Sequence, residues 1–269
     1  MSLKPLISVV SPCFNEQDNI EELYRRVKEA TLGLTARYDF EFIIIDNNST
    51  DETANKLREL AKVDSRVKVI LNVRNFGHIR SPYYGMLQSK GVATIYLASD
   101  LQDPPELIPE FVRHWEAGAK LVMATKPNSE GNPIVHGLRK FYYRLLDKIS
   151  EVKILNDSTG FGLYDQEVLN HVRAIDDPYP FLRGMISELG YDVVEIPFVQ
   201  PRRLRGISKN NIYTLYDIAW LGIVSHSKVP IRFAAFIGFA VGLLSTLVAF
   251  IILFGLELVL DGRDGSIKD

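Results

Sequence analysis

Acidic and amide side chains follow short apolar runs at positions where they could bind a phosphorylated nucleoside. Glu16 follows the first run, Asp46 ends the second, and Asp100 and Gln102 follow the fourth. A carboxylate at such a position can accept hydrogen bonds from ribose hydroxyls. Carboxylate and amide oxygens are also ligands that Mg²⁺ or Mn²⁺ prefers when the ion holds substrate phosphates. The pattern favours a nucleotide site with a divalent cation.

The segment after the third apolar run, Arg74 to Arg80, carries cations beside a predicted helix start. Helix N-termini and cationic side chains both favour phosphate. We therefore expect Asn75, Gly77, His78 and Arg80 to contact a diphosphate. The alternative is an ordinary solvated loop.

Local structure offers a second interpretation for several of these polar residues. Asn15 is a predicted N-cap of the first helix, and Glu16 would then be a helix-start residue. Ser49 and Glu52 have the spacing of a capping box. Asp103 precedes a proline, as a cap before the first helical turn does. The carboxylates left without a structural explanation are Asp46 and Asp100.

Short β-branched runs alternate with amphipathic stretches from residue 6 to residue 125, which predicts βαβ units and a mainly parallel sheet. Ligands of such folds bind beyond the carboxyl ends of the strands, where the candidate residues fall. The predicted strands are LISVVS, FEFIIID, VKVILN, VATIYLAS, KLVMAT and YDVVEIPFVQ. The predicted helices include residues 134–149, 164–174 and 212–227, and the predicted loops are KPNSEGNP and NDSTGFG.

The composition is that of a folded protein with one catalytic-size domain and an appendage. The chain has 269 residues, 46% of them apolar, and a net charge of −2. That charge gives no basic excess of the kind that nucleic-acid binding needs, so we expect no nucleic-acid partner. The single cysteine, Cys13, cannot form an internal disulfide, and the five histidines lack a zinc-binding spacing, which favours a reducing compartment.

An uncharged run from Phe233 to Leu256 predicts a transmembrane helix. Its 24 residues would span roughly 36 Å as a helix, more than the roughly 30 Å hydrocarbon core of a bilayer. The alternative is a helix buried in a soluble core. The residues before Leu6 do not resemble a signal peptide. We therefore expect that the domain before the transmembrane helix is not exported.

Charges flanking this run predict its orientation. Between Pro201 and Arg232 there are six cations and one acid, while the tail after Leu256 has four acids and two cations. The positive-inside rule then places residues 1–232 in the cytoplasm.

The run also suggests contacts in the membrane. Gly238, Gly242 and Ser245 are spaced for close helix approach, which is compatible with a homo-oligomer formed through the membrane helices. The segment NIYTLYDIAWLGIVSHSK predicts an interfacial helix on the bilayer, or alternatively a core-packed one. The expected units are a catalytic domain at 1–209, a juxtamembrane helix at 210–230, a transmembrane helix at 231–260 and a tail at 261–269.

Four motifs occur in a characteristic order. They are Pro-x-Phe-Asn-Glu from Pro12, Asp-Asn-x-Ser-x-Asp from Asp46, Asn-Phe-Gly from Asn75 and Ser-Asp-Leu-Gln-Asp-Pro-Pro-Glu from Ser99. Together they resemble glycosyltransferase family 2, above all its polyprenyl-phosphate members, the bactoprenol glucosyltransferases and dolichyl-phosphate mannose synthases. The resemblance covers nearly the whole chain and implies a GT-A fold, an α/β domain with a Rossmann-like, mainly parallel sheet.

The resemblance also implies roles for individual residues. Asp100 and Gln102 would hold Mg²⁺ or Mn²⁺. Asp157, the nearest carboxylate in the loop before Thr159, would orient the acceptor or act as a base, and the alternative is an ordinary loop-turn aspartate. The candidate catalytic residues are Asp100 and Asp157. The candidate nucleotide-sugar ligands are Pro12, Phe14, Glu16, Asp46, Asn75, Gly77, His78, Arg80, Ser99 and Asp100. The candidate acceptor and phosphate ligands are Arg139, Arg203, Arg205, Ser208 and Lys209.

The chain departs from the family pattern at three places. Many relatives have an acidic residue at the position of Ala98 and a lysine at the position of His78. Many also have Gly-Asp-Phe-Arg where this chain has Thr-Gly-Phe-Gly, from Thr159 to Gly162. The first departure leaves Asp100 as the carboxylate on which a metal site would depend.

The resemblance implies a membrane-bound inverting glycosyltransferase. It would move glucose from UDP-glucose to polyprenyl (undecaprenyl) phosphate at the inner cell membrane, with the catalytic domain in the cytoplasm. The alternatives are a GDP-mannose-dependent mannose synthase and a non-catalytic membrane scaffold. A processive polysaccharide synthase is disfavoured, because Leu204 stands where its Gln-x-x-Arg-Trp motif has tryptophan.

Overall fold

A computed structural model describes residues 4–126, 158–175, 182–201 and 227–264, together with positions 177, 180, 216 and 220. Seven strands form one sheet in this part of the chain. They are β1 (Leu6–Cys13), β2 (Asp39–Asp46), β3 (Val67–Leu71), β4 (Ala93–Tyr96), β5 (Leu121–Thr125), β6 (Ser158–Asp165) and β7 (Val193–Pro197). The helices are α1 (Ile20–Leu32), α2 (Thr53–Val63), α3 (Gly77–Leu87), α4 (Ile108–Glu116), α5 (Gln166–Ile175), α6 (Leu182–Leu189) and α7 (Val229–Asp264).

The strand order is β3-β2-β1-β4-β6-β5-β7. β1 runs parallel to β2 and β4, β2 runs parallel to β3, and β5 runs parallel to β7. The predicted mainly parallel α/β sheet is therefore confirmed. β6 is the exception, because it pairs antiparallel with both β4 and β5.

The prediction of a loop at NDSTGFG is wrong, because its last five residues, from Ser158, begin β6. One of the two glycines that suggested a loop, Gly162, allows a close approach of neighbouring strands within the sheet. A Cβ on Gly162 would lie 2.2 Å from the carbonyl oxygen of Val122. A glycine inside a strand often marks such an approach of one backbone to another.

Each face of the sheet is covered by helices, as the alternation of side chains along a buried strand requires. Ile7 and Val9 of β1 pack in one apolar cluster with residues of α1 and α4, while Val10 packs in a second cluster with residues of α3 and α5. α3 lies close to the sheet, since a Cβ on Gly85 would come within 1.6 Å of the Ile45 side chain. α3 therefore packs directly against β1 and β2.

The predicted helix caps are wrong. Neither α1 nor α2 has a side-chain hydrogen bond at its N-cap. Asn15 has a left-handed backbone (φ 55°), and its Oδ1 accepts a hydrogen bond from Thr50 N at 2.8 Å. Ser49 Oγ accepts a hydrogen bond from Asn15 N at 2.8 Å. These side chains join the loop after β1 to the loop after β2, a contact between neighbouring strands that local spacing does not reveal.

The predicted apolar C-terminal helix is present as α7. Within it, Val229–Gly255 is long enough to cross a membrane, and its most apolar 18-residue stretch has a mean hydropathy of 2.6 and is 0% buried. This exposure argues against a helix in a soluble core. Of the predicted interfacial helix, the structure describes Tyr216 and Trp220, whose exposed rings stack with centroids 6.4 Å apart. The predicted helix at 134–149 lies outside the described residues.

Candidate active site

A cleft of about 360 Å³ opens where β1 and β4 end and α3 begins. This edge holds the carboxyl ends of the parallel strands, where ligands of open α/β sheets bind. The residues that line the cleft are Pro12, Cys13, Phe14, Glu16, Asn47, Asn75, Gly77, His78, Ser81, Pro82, Tyr96, Ala98, Ser99 and Asp100.

The fold brings most of the predicted nucleotide-sugar ligands into this cleft. Those that line it are Pro12, Phe14, Glu16, Asn75, Gly77, His78, Ser99 and Asp100. Asp46, Arg80 and the predicted metal ligand Gln102 are not among the lining residues. The remaining predicted residues lie outside the described part of the chain: Arg139, Asp157, Arg203, Arg205, Ser208 and Lys209.

Asp46 lies behind the wall of the cleft. It is 3% exposed, and its two carboxylate oxygens each accept a hydrogen bond from Ser49 N at 3.2 Å. The acidic side chain that sequence reasoning left without a structural role thus closes the turn after β2.

Asn47 is the residue of this turn that faces the cleft, and sequence reasoning missed it. Its Nδ2 donates to Asn75 Oδ1 at 2.9 Å and to Gly77 O at 3.1 Å. Its Oδ1 accepts from Phe76 N at 2.9 Å and from Asn72 Nδ2 at 3.1 Å. Asn47 therefore shapes the whole loop between β3 and α3. The available signal was an amide directly after a strand, at the edge where ligands bind.

The start of α3 forms another wall of the cleft. Gly77 has φ 83°, a left-handed conformation that suits glycine. The first backbone N–H groups of a helix lack partners within the helix and favour an anion. Desolvation by the surrounding protein lowers the pKa of His78, whose side chain still reaches the cleft. His78 is therefore a neutral hydrogen-bonding group at neutral pH.

The loop after β1 supplies acidic and thiol groups. Glu16 Oε2 accepts a hydrogen bond from Asn19 Nδ2 at 2.6 Å, and Glu16 N donates to Thr53 Oγ1 at 2.9 Å. Burial, reinforced by the charges of Asp46 and Glu16, raises the pKa of the Cys13 thiol far above its usual range. Cys13 is therefore protonated and unreactive, and Glu16 is the acidic group of this loop that lines the cleft.

Asp100 enters the cleft from a strained turn after β4. The next residue, Leu101, has φ 61° although it is not glycine. Such a conformation costs about 1–2 kcal/mol and persists where the surroundings hold it. Leu101 is 6% exposed, and Gln102 N donates to Asp100 Oδ1 at 3.1 Å. The turn thus buries its leucine and presents its aspartate.

Asp103 does not cap the turn at Pro105–Leu107, which has no side-chain hydrogen bond at its N-cap, so that prediction is wrong. Its Oδ2 instead accepts a hydrogen bond from Ala98 N at 2.9 Å. Burial raises the pKa of Asp103 to about 6. The Asp103 side chain points into the protein, where it pairs with the backbone N–H of Ala98 just after β4.

The residues at the cleft fit a divalent cation that is shared with a substrate. Magnesium is commonly held by one or two carboxylates together with substrate phosphates. Asp100 supplies a cleft carboxylate, while the described residues contain no cluster of three or more His, Cys, Asp or Glu side chains that could enclose an ion. Gln102 Nε2 lies 3.5 Å from Pro201 O. Since the amide nitrogen points to that carbonyl, the amide oxygen is the atom that could serve as a ligand.

The motifs and the sheet order agree with a comparison of the whole chain with known proteins. The family described as Glycosyl transferase family 2 matches residues 8–173. The chain belongs to this family. It is 33% identical over 242 residues to the bactoprenol glucosyl transferase of Shigella phage SfV, covering 90% of this chain and 78% of that protein. It is 32% identical over 256 residues to a prophage bactoprenol glucosyl transferase homolog of Escherichia coli K12, covering 95% of this chain and 81% of that protein.

Solved structures share the fold. A mannosyltransferase from Pyrobaculum calidifontis, solved with GDP-Man and Mn²⁺, is 17% identical with a TM-score of 0.54, over 81% of this chain and 61% of that one. Glucosyl-3-phosphoglycerate synthase from Mycobacterium tuberculosis was solved with Mn²⁺, UDP and phosphoglyceric acid. It is 19% identical with a TM-score of 0.53, over 81% of this chain and 76% of that one. At these identities the likeness concerns the fold, and the domain is a GT-A-like α/β domain.

Proposed function

We propose that this protein transfers a sugar from a nucleotide-sugar to polyprenyl phosphate at a membrane surface, with glucose from UDP-glucose as the first donor to test. The observation that carries the proposal is that Glu16, Asn75, His78 and Asp100 line one cleft at the carboxyl edge of the sheet. The similarity to bactoprenol glucosyl transferases over most of the chain supports the lipid acceptor.

The cleft walls suit the parts of a nucleotide-sugar. Glu16, in the loop after β1, lines the cleft and would accept hydrogen bonds from ribose hydroxyls, as carboxylates in related folds do. Gly77 and His78, at the start of α3, line the same cleft, and a helix N-terminus beside a neutral imidazole would suit a diphosphate. A divalent cation held by Asp100, with Gln102 as a further oxygen ligand, would neutralise charge on the leaving nucleoside diphosphate.

Transfer by this chain needs positioning more than proton removal. The second pKa of a phosphate monoester is about 6, so the acceptor oxygen is mostly ionised at neutral pH. A single in-line displacement with inversion at the sugar then requires the two phosphate-bearing substrates to be held together. We assign Arg139, Arg203, Arg205, Ser208 and Lys209 to binding of acceptor or donor phosphate and Asp157 to orienting the acceptor.

α7 supports membrane attachment. A helix with a mean hydropathy of 2.6 over its apolar part and no burial in the described structure is suited to a lipid environment. The excess of cations before Arg232 favours a catalytic domain in the cytoplasm, at the inner face of the cell membrane. This location provides both a nucleotide-sugar pool and a lipid-linked acceptor.

The proposal is tested with the full chain purified in detergent. The protein is incubated with a short-chain polyprenyl phosphate, Mg²⁺ or Mn²⁺, and separately UDP-glucose, UDP-galactose or GDP-mannose. We expect mass spectrometry to detect a glycosylated lipid with UDP-glucose, and expect EDTA to abolish it. Asp100→Ala should lower the rate at least about a hundredfold, equivalent to ~2.7 kcal/mol of transition-state stabilisation.

A matched control is Asp39→Ala, because Asp39 is an exposed carboxylate at the opposite end of the sheet. It should transfer sugar at the rate of the unchanged protein. Nucleotide-sugar binding without transfer from any donor would contradict the proposal and favour a scaffold with this fold. A product with GDP-mannose alone would retain the lipid acceptor and correct the donor.

A further inference from the structure

The turn that presents Asp100 is closed by the buried carboxylate of Asp103. The ladder between β1 and β4 continues as far as Leu97, whose N donates to Val10 O at 3.1 Å. The next amide along the chain, Ala98 N, donates to Asp103 Oδ2 at 2.9 Å. Asp103 therefore ties the first residue of the turn to its last.

The turn needs such a closure because its backbone is strained. Leu101 has φ 61°, and a residue other than glycine keeps this conformation only where its surroundings impose it. Three described features hold it: the burial of the Leu101 side chain, which is 6% exposed, the hydrogen bond from Gln102 N to Asp100 Oδ1 across it, and the hydrogen bond from Ala98 N to Asp103. Without that hydrogen bond, the turn can relax and move Asp100.

Asp103 itself does not reach the cleft. It is 3% exposed and is not among the residues that line the cavity, whereas Ala98, Ser99 and Asp100 are. Any influence of Asp103 on a ligand must therefore pass through the turn or through the electrostatic field. The negative charge of Asp100 and the positive charge of Lys126 both lie near it.

We propose that Asp103 is a positioning residue that holds Asp100 in the cleft through its hydrogen bond to Ala98 N. The inference rests on the proposed function, since it assumes that Asp100 binds a metal-bound nucleoside diphosphate. The hydrogen bond, rather than the charge, is the property that acts. A neutral side chain with the same acceptor atom should therefore preserve the site, and a side chain without an acceptor should not.

The test compares Asp103→Asn with Asp103→Ala in the full chain. Calorimetry measures the dissociation constants of UDP and of GDP in the presence of Mn²⁺, without any transfer step. We expect Asp103→Ala to weaken binding of the preferred Mn²⁺–nucleotide at least about tenfold. Asp103→Asn should remain within about threefold of the unchanged protein, because its amide oxygen can still accept from Ala98 N. Asp103→Ser is a second variant without the full-length acceptor if Asp103→Ala folds poorly.

Asp165→Ala controls for loss of a buried carboxylate. Asp165 accepts hydrogen bonds from Trp115 Nε1 at 2.7 Å and Glu167 N at 2.9 Å, and it pairs with Ala93, at the end of β4 opposite the cleft. This variant should have a lower melting temperature and unchanged nucleotide affinity. Equal affinity of Asp103→Ala and the unchanged protein would overturn the proposal. Equal weakening by Asp103→Asn and Asp103→Ala would also overturn it, since charge would then be the active property.

Hydrogen exchange provides a readout that needs no ligand. We expect the Ala98 amide to exchange faster in Asp103→Ala and to stay protected in Asp103→Asn. If the unchanged protein binds neither UDP nor GDP with Mn²⁺, the proposed function fails, while the exchange data still report on the hydrogen bond. An Ala98 amide equally protected in all variants would contradict the positioning role directly.

Discussion

Asp46 and Asn47 are neighbours in the sequence but have different surroundings in the fold. Asp46 is buried and accepts hydrogen bonds from Ser49 N, while Asn47 lines the cleft and bonds to the loop before α3. Both residue types are compatible with a binding site, so composition at the strand end does not distinguish them. The partners of each side chain decide its role.

Replacing Asn47 with alanine should loosen the wall of the cleft. The change removes hydrogen bonds to Asn72, Asn75, Phe76 and Gly77. Leaving these partners unpaired should cost about 1–3 kcal/mol of stability. We also expect the KM for the nucleotide-sugar to rise about tenfold, with a smaller change in kcat, because the reacting groups are not removed.

Asn55→Ala is the control for this experiment. Asn55 lies on the exposed face of α2, where its Nδ2 donates to Glu52 Oε2 at 2.9 Å. Thermal unfolding and donor kinetics should both be close to those of the unchanged protein. A normal donor KM in Asn47→Ala would show that the loop keeps its shape without this side chain.

At the scale of secondary-structure elements, a polar network joins the first three strands at the edge opposite the cleft. Glu41 is 3% exposed and accepts hydrogen bonds from Ser8 Oγ at 2.5 Å and Lys90 N at 3.1 Å. It also forms an ion pair with Lys68. Burial disfavours the charged carboxylate, but the hydrogen bonds from Lys68, Ser8 and Lys90 outweigh it and lower the pKa of Glu41.

Acid should remove the stability that this network provides. Because the pKa of Glu41 is lower in the folded protein than the ordinary value of 4.5, the contribution is complete above that value and is lost as pH falls through the folded-state pKa. Glu41→Gln should therefore lower the melting temperature at pH 7 and flatten its decline in acid. Glu59→Gln, on an exposed face, is the control. An equally steep acid decline in Glu41→Gln would contradict this account.

The close packing of α3 on the sheet leads to a second prediction at the scale of secondary-structure elements. A Cβ on Gly85 would overlap the side chain of Ile45 and crowd that of Val10, so Gly85→Ala must displace Ile45 or α3. We expect a loss of about 1–3 kcal/mol in the free energy of unfolding, as for overpacked cores. Gly33→Ala, which meets nothing within 4 Å, should be neutral. Denaturant unfolding of both variants measures the difference.

The whole molecule combines a sheet domain with a helix that the domain does not cover. Large apolar side chains of α7 are exposed, including Leu244 and Leu247. Contiguous exposed apolar surface of this extent marks a site of contact with membrane or protein. The length of Val229–Gly255 favours the membrane.

Membrane attachment is tested by placing a charge in the middle of this helix. Leu244→Arg should add about 2.5–3.5 kcal/mol to the cost of insertion. We expect the unchanged chain to resist carbonate extraction and the variant to be released in larger part. Val63→Arg, at an exposed position of α2, should behave like the unchanged chain. Carbonate release of the unchanged protein would argue against a spanning helix.

The sequence by itself determined the parallel βαβ order, the apolar helix α7 and the edge of the sheet at which the cleft lies. Each of these follows from local properties: apolar runs, helical spacing and polar residues directly after strands. In α1 the apolar residues Ile20, Leu23 and Val27 recur at three- and four-residue steps, and all three are buried.

Only the tertiary structure decided how individual polar side chains are used. The antiparallel β6, the contact of Asn15 with Thr50, and the inward turn of Asp103 all depend on partners outside the local motif. A side chain at the end of a strand meets whichever unpaired amide the neighbouring loop presents. That neighbour is set by strand order and register, and these arise from the packing of the whole sheet.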